Sequence, residues 1–267
     1  MIQKFFSPLF IALLVVSIQH KVVAQDARGN GITIFAAASL NEVFAAMAEK
    51  YRSENPGEEI TFNFAGSQQL VQQIAEGAAV DIFASANMRQ MNDALNTGRV
   101  DSASVRVFAH NTLVVVFPKE NEAGIHTLSD LGRPHLKIIL ADKTVPAGEY
   151  SVEVLEKCIK RPGFDSTFKQ NVLQNVVSYE ENVKAVLSKI VLGEGDAGIV
   201  YTSDVSRDAR EKVGTIEIPE PLNVVAEYPI CLMRTAPSRE RSRRFVQFIL
   251  SDEGQSILTR FGFLRVK

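Results

Sequence analysis

Residues Ile32–Tyr51 read ITIFAAASLNEVFAAMAEKY, and this stretch decides the fold class. Its first seven residues are an apolar run with β-branched and aromatic side chains, which is typical of a buried strand. After Ser39 the apolar residues recur three or four positions apart, which is the spacing of one helix face. These residues are Leu40, Val43, Phe44, Met47 and Tyr51. A strand that leads directly into an amphipathic helix predicts an α/β protein.

The same alternation of strand and helix continues along the rest of the chain. Further strands are predicted at 60–64, 81–84, 113–117, 137–140, 176–177 and 197–201, with a long extended stretch at 224–233. Helices are predicted between these strands and at the C-terminal end, around 239–250 and 253–261. Strand–helix–strand units of this length require right-handed crossovers, so the sheets are predicted to be mixed but mainly parallel, with helices flanking them.

The chain is predicted to divide into two lobes. Residues 25–110 together with 234–267 form the first predicted lobe, and residues 111–233 form the second, including the crossings between the lobes. Two crossings suit a hinge that closes around a ligand, because only a few backbone angles need to change. The alternation alone also allows a single doubly wound domain, and this alternative stays open at this point.

Residues 1–24 are predicted to be a cleaved secretory signal. Lys4 provides a positive start, residues 5–18 are almost entirely apolar, and Ala24 closes a small-residue ending. The apolar run is too short for a comfortable membrane span. No cysteine lies near the predicted cleavage point, so we expect a freely soluble periplasmic protein without a lipid anchor. A retained N-terminal anchor is the alternative.

Composition and charge exclude several classes of protein. The 267 residues are 46% hydrophobic and 22% charged, which is enough apolar material for cores that need no disulfides. Without residues 1–24, 27 basic residues face 31 acidic ones, so the mature net charge is −4. This balance does not resemble the basic field of a nucleic-acid binder, and we expect a monomer with no nucleic-acid partner.

Two serines stand where a predicted strand passes into a predicted helix. Ser39 follows the strand 32–38, and Ser67 follows Gly66 after the strand 60–64. Either serine can act as a helix cap, and Ser39 with Glu42 has the spacing of a capping box. Either can equally offer its hydroxyl and the free N–H groups of the helix start to an anion. Both serines are therefore candidates for one ligand site.

Three further positions lie at comparable strand ends. Pro146 suits the start of a helix, which leaves Ala147 as the first free N–H donor. The segment 178–183 opens another helix with the spacing of a capping box, and its Val183 can contribute only a backbone N–H. Tyr201 ends a buried strand and brings a phenol to the rim of the sheet, although a lone tyrosine is more often a packed residue.

The residues that would support catalysis or a metal centre are missing from these motifs. His110, His126 and His135 are scattered and lack the spacing of metal ligands. We find no glycine-rich phosphate loop and no ordering of a Ser–His–Asp triad, so we expect neither an enzyme nor a cofactor. Cys158 and Cys231 are expected to be packed, unpaired thiols, with a disulfide as the alternative.

Five motifs, in this order along the chain, carry a family resemblance. They are Phe35–Leu40 (FAAASL), Phe64–Ser67 (FAGS), Gly77–Ala86 (GAAVDIFASA), Val145–Gly148 (VPAG) and Gly198–Asp204 (GIVYTSD). Together they resemble the periplasmic molybdate-binding proteins of molybdate ABC transporters, over essentially the whole mature chain. The resemblance implies an α/β, two-lobed periplasmic binding protein of type II-like fold. It also implies that a tetrahedral oxyanion, molybdate or tungstate, is held in the cleft and delivered to the transporter permease.

The resemblance further implies which residues hold the ligand. Ser39 and Ser67 would each give a hydroxyl and a backbone N–H. Ala147 and Val183 would give backbone N–H groups, and Tyr201 would give its phenol. The metal atom would then be bound only as part of the oxyanion, through these same residues and without a cofactor. Neutral donors are adequate for this task, since each hydrogen bond to a charged group nets about 1.5–3 kcal/mol.

Two other functions compete with this hypothesis. One is a receptor for a smaller tetrahedral oxyanion such as sulfate, which differs in the pocket volume that it needs. The other is an exported hydrolase that uses Ser39 or Ser67 as its nucleophile. A hydrolase would need a base beside the serine, and neither serine motif contains a histidine.

Overall fold

The computed structural model describes residues 31–266, so the predicted signal segment 1–24 lies outside the described residues. The strands are β1 Gly31–Ala37, β2 Glu59–Ala65, β3 Ile82–Ala84, β4 Arg106–Asn111, β5 Leu113–Pro118, β6 Ile138–Ala141, β7 Val176–Glu180, β8 Ala197–Tyr201, β9 Val213–Glu217 and β10 Ala226–Leu232. The α-helices are α1 Asn41–Glu54, α2 Ser67–Ala75, α3 Met88–Asn96, α4 Pro146–Cys158, α5 Phe168–Gln174, α6 Val183–Val191, α7 Arg207–Lys212, α8 Arg239–Leu250 and α9 Asp252–Arg260. Short 3₁₀ turns occupy Ala38–Leu40, Ser102–Ser104, Leu128–Gly132 and Thr202–Asp204.

The strands form two separate five-stranded sheets. The first has the order β2-β1-β3-β10-β4, and the second has the order β7-β6-β8-β5-β9. We call the elements built on the first sheet lobe A and those built on the second sheet lobe B. The predicted two-lobed α/β architecture is confirmed, and the single doubly wound domain is excluded.

Each sheet is mixed, as predicted, but it is not mainly parallel. In lobe A, β1 runs parallel to β2 and β3, whereas β10 runs antiparallel to β3 and β4. In lobe B, β6 runs parallel to β7 and β8, whereas β5 runs antiparallel to β8 and β9. The antiparallel pairs involve the strands next to the crossings, because there the chain enters a sheet from the other lobe and not through a helical crossover.

The extended stretch near 222–233 is only partly a crossing. Its residues 226–232 form β10, which lies between β3 and β4 in lobe A, although the sequence placed this segment with the second lobe. Six of the seven residues from Ala226 to Leu232 are buried, and the last five form an unbroken buried run. This pattern suits a central strand that is covered on both faces. The precise residue bounds of the two lobes stay a prediction.

Asn223 joins the two crossings to each other. Its Oδ1 accepts from the backbone N of Leu113 at 3.0 Å, and its Nδ2 donates to the carbonyl oxygen of Leu113 at 2.8 Å. The same Nδ2 lies 3.3 Å from the carbonyl oxygen of Ile218, at the end of lobe B. One side chain thus satisfies the backbone where β5 begins and where the chain leaves lobe B.

Neither cysteine is paired. Cys158 ends α4 in lobe B and Cys231 lies in β10 of lobe A, and both are free and buried. The prediction of packed, unpaired thiols is confirmed. Between residues 31 and 266, no helix has the length and apolar character needed to span a membrane.

Asn223→Ala tests the link between the crossings. The change leaves two backbone groups of Leu113 without their partner, so we expect the free energy of unfolding to fall by about 1–3 kcal/mol. Urea denaturation measures the loss. Asn92→Ala on the exposed face of α3 is the matched control and should change the value by less than about 0.5 kcal/mol. Equal effects of the two changes would contradict the role of Asn223.

Candidate functional site

All five residues predicted to hold a ligand line one cavity between the lobes. Lobe A contributes Ser39 and Ser67, and lobe B contributes Ala147, Val183 and Tyr201. The remaining lining residues are small or apolar with one exception, an asparagine: Ala37, Ala38, Ala65, Gly66, Ala86, Val145, Pro146 and Asn182. The assignment of ligand contacts to these residues stays a prediction, but the fold brings them together from five separate segments.

The cavity lies between the lobes and is small. Its volume is ≈ 10 Å³, which is about the space that a single water-sized sphere needs. The two lobes therefore approach each other closely around the five predicted residues.

Three helices of eight or more residues begin at the cavity. Ser67 is the first residue of α2, Ala147 is the second residue of α4, and Val183 is the first residue of α6. The N–H groups in a first helical turn have no acceptor within the helix, and the helix dipole adds positive partial charge there. All three helix starts follow the carboxyl ends of parallel strands, which is where α/β folds bind their ligands.

Gly148 allows the start of α4 to approach the sheet closely, which places Ala147 at the cavity. A Cβ atom at this position would lie 2.1 Å from the carbonyl oxygen of Asp142 and 2.4 Å from that of Ala141. Both contacts are far shorter than real Cβ contacts and involve backbone atoms. A side chain at position 148 would therefore push the N–H of Ala147 away from the cavity.

Ser39 is not a helix cap, so the predicted capping box with Glu42 is wrong. The chain first makes the 3₁₀ turn Ala38–Leu40, and α1 begins two residues later, at Asn41. The Ser39 hydroxyl is buried and lies 3.0 Å from the hydroxyl of Tyr228. Ser39 lines the cavity, and its hydroxyl contacts Tyr228 and not the helix that follows.

Ser67 is also not a cap, because it is already the first residue of α2 and Gly66 takes the N-cap position. The backbone N of Gly66 donates to Oε1 of Gln69 at 2.9 Å. The Ser67 hydroxyl accepts from the backbone N of Ala86 at 3.1 Å, which leaves its own proton free to donate. Ala86 therefore orients Ser67 as a donor to the cavity.

The predicted helix opening at Ser178 lies too early in the chain. Ser178 and Glu180 belong to β7, and α6 begins at Val183. Asn182 is the cap of this helix, with its Oδ1 accepting from the backbone N of Ala185 at 3.0 Å. Glu181 thus has no capping role, and Val183 occupies the first position of α6.

Tyr201 is the clearest indication of a ligand. Its side chain is only 1% exposed, yet its hydroxyl has no hydrogen-bond partner anywhere in residues 31–266. A buried hydroxyl without a partner costs about 1–3 kcal/mol. Burial, together with the neighbouring Tyr228, raises the pKa of this phenol well above its usual value, so it remains a protonated donor. Tyr201 therefore lines the cavity with a hydroxyl donor that has no acceptor among the described residues.

Tyr228 contacts a predicted site residue, and the sequence reasoning missed it. It lies in β10, is fully buried, and packs its ring edge-on against that of Tyr201 with centroids 5.7 Å apart. Nδ2 of the buried Asn111 lies 3.5 Å from the Tyr228 hydroxyl, which in turn lies 3.0 Å from that of Ser39. If Asn111 donates to Tyr228 and Tyr228 donates to Ser39, the Ser39 proton is free for a ligand.

None of the residues that line the cavity carries a charge. The nearest cation in sequence is Lys184, whose Nζ lies 2.8 Å from Oε2 of Glu42 and 3.2 Å from Oδ1 of Asp204. Burial works to lower the pKa of Lys184, but the two carboxylates outweigh it and the pKa is raised. Lys184 is thus neutralised by its neighbours and does not face the ligand space.

The described residues contain nothing that resembles a metal centre or a catalytic base at this site. Between 31 and 266 no group of three or more His, Cys, Asp or Glu residues could hold a metal ion. No histidine lines the cavity, and His110 instead exchanges backbone hydrogen bonds with Leu264. A larger groove of ≈ 600 Å³ beside β9 contains none of the five predicted residues, so its size does not make it the functional site.

Known proteins resemble this chain over almost its full described length. Residues 32–264 match a family described as bacterial extracellular solute-binding protein. Molybdate-binding protein ModA of Mycobacterium tuberculosis (strain ATCC 25618 / H37Rv) is 34% identical over 234 residues, which cover 88% of this chain and 84% of that protein.

Solved structures show the same likeness. The substrate binding domain of a putative molybdenum ABC transporter from Clostridium difficile has a TM-score of 0.66 at 29% identity, covering 89% of this chain and 99% of that chain. The sulfate-binding protein SubI from Mycobacterium tuberculosis H37Rv has a TM-score of 0.80 at 17% identity, covering 89% of this chain and 88% of that chain. This last likeness concerns the fold alone.

Tyr228→Phe tests the support behind Ser39. The change removes a buried hydroxyl that serves both Ser39 and Asn111, so we expect the free energy of unfolding to fall by about 1–3 kcal/mol. Tyr179→Phe is the matched control, because the Tyr179 side chain is 52% exposed on the edge strand β7. Chemical denaturation that gives the same stability for both variants would remove Tyr228 from the site.

Proposed function

The chain belongs to the bacterial extracellular solute-binding protein family, and we propose that it captures molybdate or tungstate in the cleft between its lobes. In this proposal the protein is a transport receptor. It closes on the oxyanion outside the cytoplasm and delivers it to the permease of an ABC transporter. Relatives named as molybdate-binding proteins support the choice of ligand.

One observation carries the proposal. Hydroxyl and N–H donors from both lobes converge on a cavity that contains no charged side chain, and the buried phenol of Tyr201 has no partner in the described chain. Such donors suit an anion with several oxygen atoms arranged in three dimensions. A tetrahedral oxyanion would give each donor an acceptor, including the acceptor that Tyr201 lacks.

The neutral lining explains how a protein of negative net charge could bind a dianion. The ligand would meet the starts of α2, α4 and α6, each of which offers N–H groups and positive partial charge. These dipoles act strongly in a closed site where water is excluded. Without a cation to attract every anion, the spacing of the donors would decide which oxyanion fits.

Sulfate is the second candidate, because the fold is shared with a sulfate-binding protein. Sulfate is also a tetrahedral dianion, and it differs from molybdate chiefly in being smaller. The proposal favours molybdate because the relatives at higher sequence identity carry that name. Direct competition between the anions separates the two candidates.

A hydrolytic role for Ser39 or Ser67 is not favoured by the site. The Ser67 hydroxyl accepts a hydrogen bond from Ala86, and the Ser39 hydroxyl contacts a tyrosine. A serine nucleophile needs a neighbouring base to take its proton. The cavity lining supplies none, and we therefore propose a binding protein and not an enzyme.

Titration of the purified protein with molybdate, tungstate, sulfate and phosphate tests the ligand. We expect molybdate and tungstate to bind most tightly, and a ligand at 100 times its dissociation constant to stabilise the fold by about 2.7 kcal/mol. Calorimetry gives the affinities and thermal unfolding gives the stabilisation, after bound anion has been removed by denaturation and refolding. Tighter binding of sulfate would select the second candidate, and no binding of any of the four would overturn the proposal.

Tyr201→Phe separates a ligand donor from a merely packed tyrosine. The lost hydroxyl has no protein partner, so the stability of the ligand-free protein should be unchanged or slightly higher. Molybdate affinity should fall roughly ten- to hundredfold, which corresponds to one hydrogen bond to a charged ligand. Tyr179→Phe should alter neither quantity, and full affinity in the Tyr201 variant would exclude the phenol from the site.

A further inference from the structure

Besides the ion pair between Lys184 and Glu42, two groups of polar side chains bridge the lobes at the rim of the cavity. The first, which we call the glutamine clamp, consists of Gln68 and Gln69 of lobe A and Glu181 of lobe B. The second, which we call the arginine clamp, consists of Asn87 and Arg89 of lobe A and Glu149 of lobe B. Glu149 and Glu181 are not among the residues that line the cavity, nor are their partners from lobe A.

The glutamine clamp makes two hydrogen bonds across the cleft. Nε2 of Gln68 donates to the carbonyl oxygen of Glu181 at 2.9 Å, and Nε2 of Gln69 donates to its carboxylate at 3.0 Å. Oε1 of Gln69 simultaneously accepts from the backbone N of Gly66, which fixes this side chain at the start of α2. The first turn of α2 thus holds the segment that leads into α6.

Gly66 provides the space that this clamp needs. A Cβ atom at position 66 would lie 2.5 Å and 2.6 Å from the amide atoms of Gln68, and 2.6 Å from the carbonyl oxygen of Glu181. The last of these atoms belongs to the backbone of the opposite lobe. A side chain at position 66 would therefore displace Gln68 and separate the lobes at this point.

The arginine clamp lies at the start of α4. Nδ2 of Asn87 donates to Oε2 of Glu149 at 2.9 Å, and Nε of Arg89 donates to the same oxygen at 2.8 Å. Arg89 also lies 3.2 Å from the carbonyl oxygen of Thr144. Asn87 caps α3, because its Oδ1 accepts from the backbone N of Gln90. This bond lies within lobe A, so it can hold the Asn87 side chain whether or not Glu149 is in contact.

Every clamp residue stands close in sequence to a residue that lines the cavity. Gln68 and Gln69 follow Ser67, and Asn87 follows Ala86. Glu149 comes two residues after Ala147, and Glu181 comes two residues before Val183. Opening the cleft breaks the clamp bonds and at the same step moves the helix starts of lobe B away from the serines of lobe A.

We propose that the two clamps are positioning elements that hold the cleft closed and set the rate at which bound oxyanion is released. This inference rests on the proposed function, because it concerns the same site. The clamp residues contact each other and do not line the cavity, so they would act through the distance between the lobes. Their loss should speed dissociation much more than it changes association, since the encounter occurs with the open protein.

Gln68→Ala combined with Glu181→Ala removes one donor and the carboxylate acceptor of the glutamine clamp, while the bond between Gln69 and Gly66 remains. The matched control is Gln72→Ala combined with Glu76→Ala. These two residues make the same amide–carboxylate bond, at 2.9 Å, but within lobe A. The two double variants lose the same residue types and the same charge. The clamp variant loses two hydrogen bonds that cross the cleft, whereas the control loses one hydrogen bond within lobe A.

Stopped-flow tyrosine fluorescence follows molybdate release, because the chain contains no tryptophan. We expect release from the clamp variant to be about tenfold faster than from the control, with association within about twofold. Arg89→Ala should also speed release, by a factor of about two to five. Arg106→Ala is its control, since Arg106 bonds only to carbonyl oxygens of its own segment. Equal release rates in the clamp variants and their controls would overturn the inference.

Small-angle X-ray scattering of the ligand-free proteins separates this inference from the proposed function. Ligand-free protein exchanges between open and closed forms, and the clamp variants should spend more time open and so scatter as more expanded particles than their controls. If the parent protein binds none of the oxyanions, the proposed function fails while the scattering still tests the clamps. If the parent binds molybdate but clamp and control variants scatter and release alike, only the clamps fail.

Discussion

The structure depends on one constraint: a buried cavity lined by neutral donors can bind an anion only if each donor proton points inward. A hydroxyl both donates and accepts, so its acceptor side must be occupied from behind. The backbone N of Ala86 does this for Ser67, and the Tyr228 hydroxyl is placed to do it for Ser39. The Tyr201 hydroxyl lies at the cavity and has no partner among residues 31–266 on either its donor or its acceptor side. The Ser39 and Ser67 hydroxyls are therefore oriented by groups outside the five predicted ligand residues.

This constraint also explains why the cavity needs two lobes and two unusual glycines. A single sheet could present only the helix starts at its own carboxyl edge, whereas two sheets facing each other surround a small ligand. Gly148 lets α4 press against the end of β6, and Gly66 lets α2 meet Glu181 across the cleft. In both places a Cβ atom would collide with backbone oxygens, and these cannot move aside by a change of side-chain rotamer. Local packing at two positions thus controls how tightly the whole cleft closes.

The sequence predicted the local features of this arrangement and missed the long-range ones. The helix start at Pro146 and the end of β8 at Tyr201 follow from apolar spacing and from the preferences of proline. The capping assignments at Ser39 and Ser67 failed, because a 3₁₀ turn and a glycine cap shift the helix starts by one or two residues. Short segments such as α5 and β9 were not recognised, since they bury too few residues for a clear period. Tyr228 could not be found, because its role depends on β10 pairing into lobe A.

The distribution of charge follows from the same constraint. Four carboxylates, those of Glu42, Glu149, Glu181 and Asp204, surround a cavity proposed for a dianion, and at close range each would repel it. In the closed structure none of them is left alone: Lys184 pairs with Glu42 and Asp204, Arg89 pairs with Glu149, and Gln69 donates to Glu181. The contacts to Glu42, Glu149 and Glu181 run between the lobes. When the lobes close, each of these three carboxylates meets a positive or hydrogen-bonding partner on the opposite lobe. The residues that line the cavity remain uncharged. The charged and polar groups that attract one lobe to the other therefore lie at the rim. The uncharged lining residues would select the ligand by the positions of their donors.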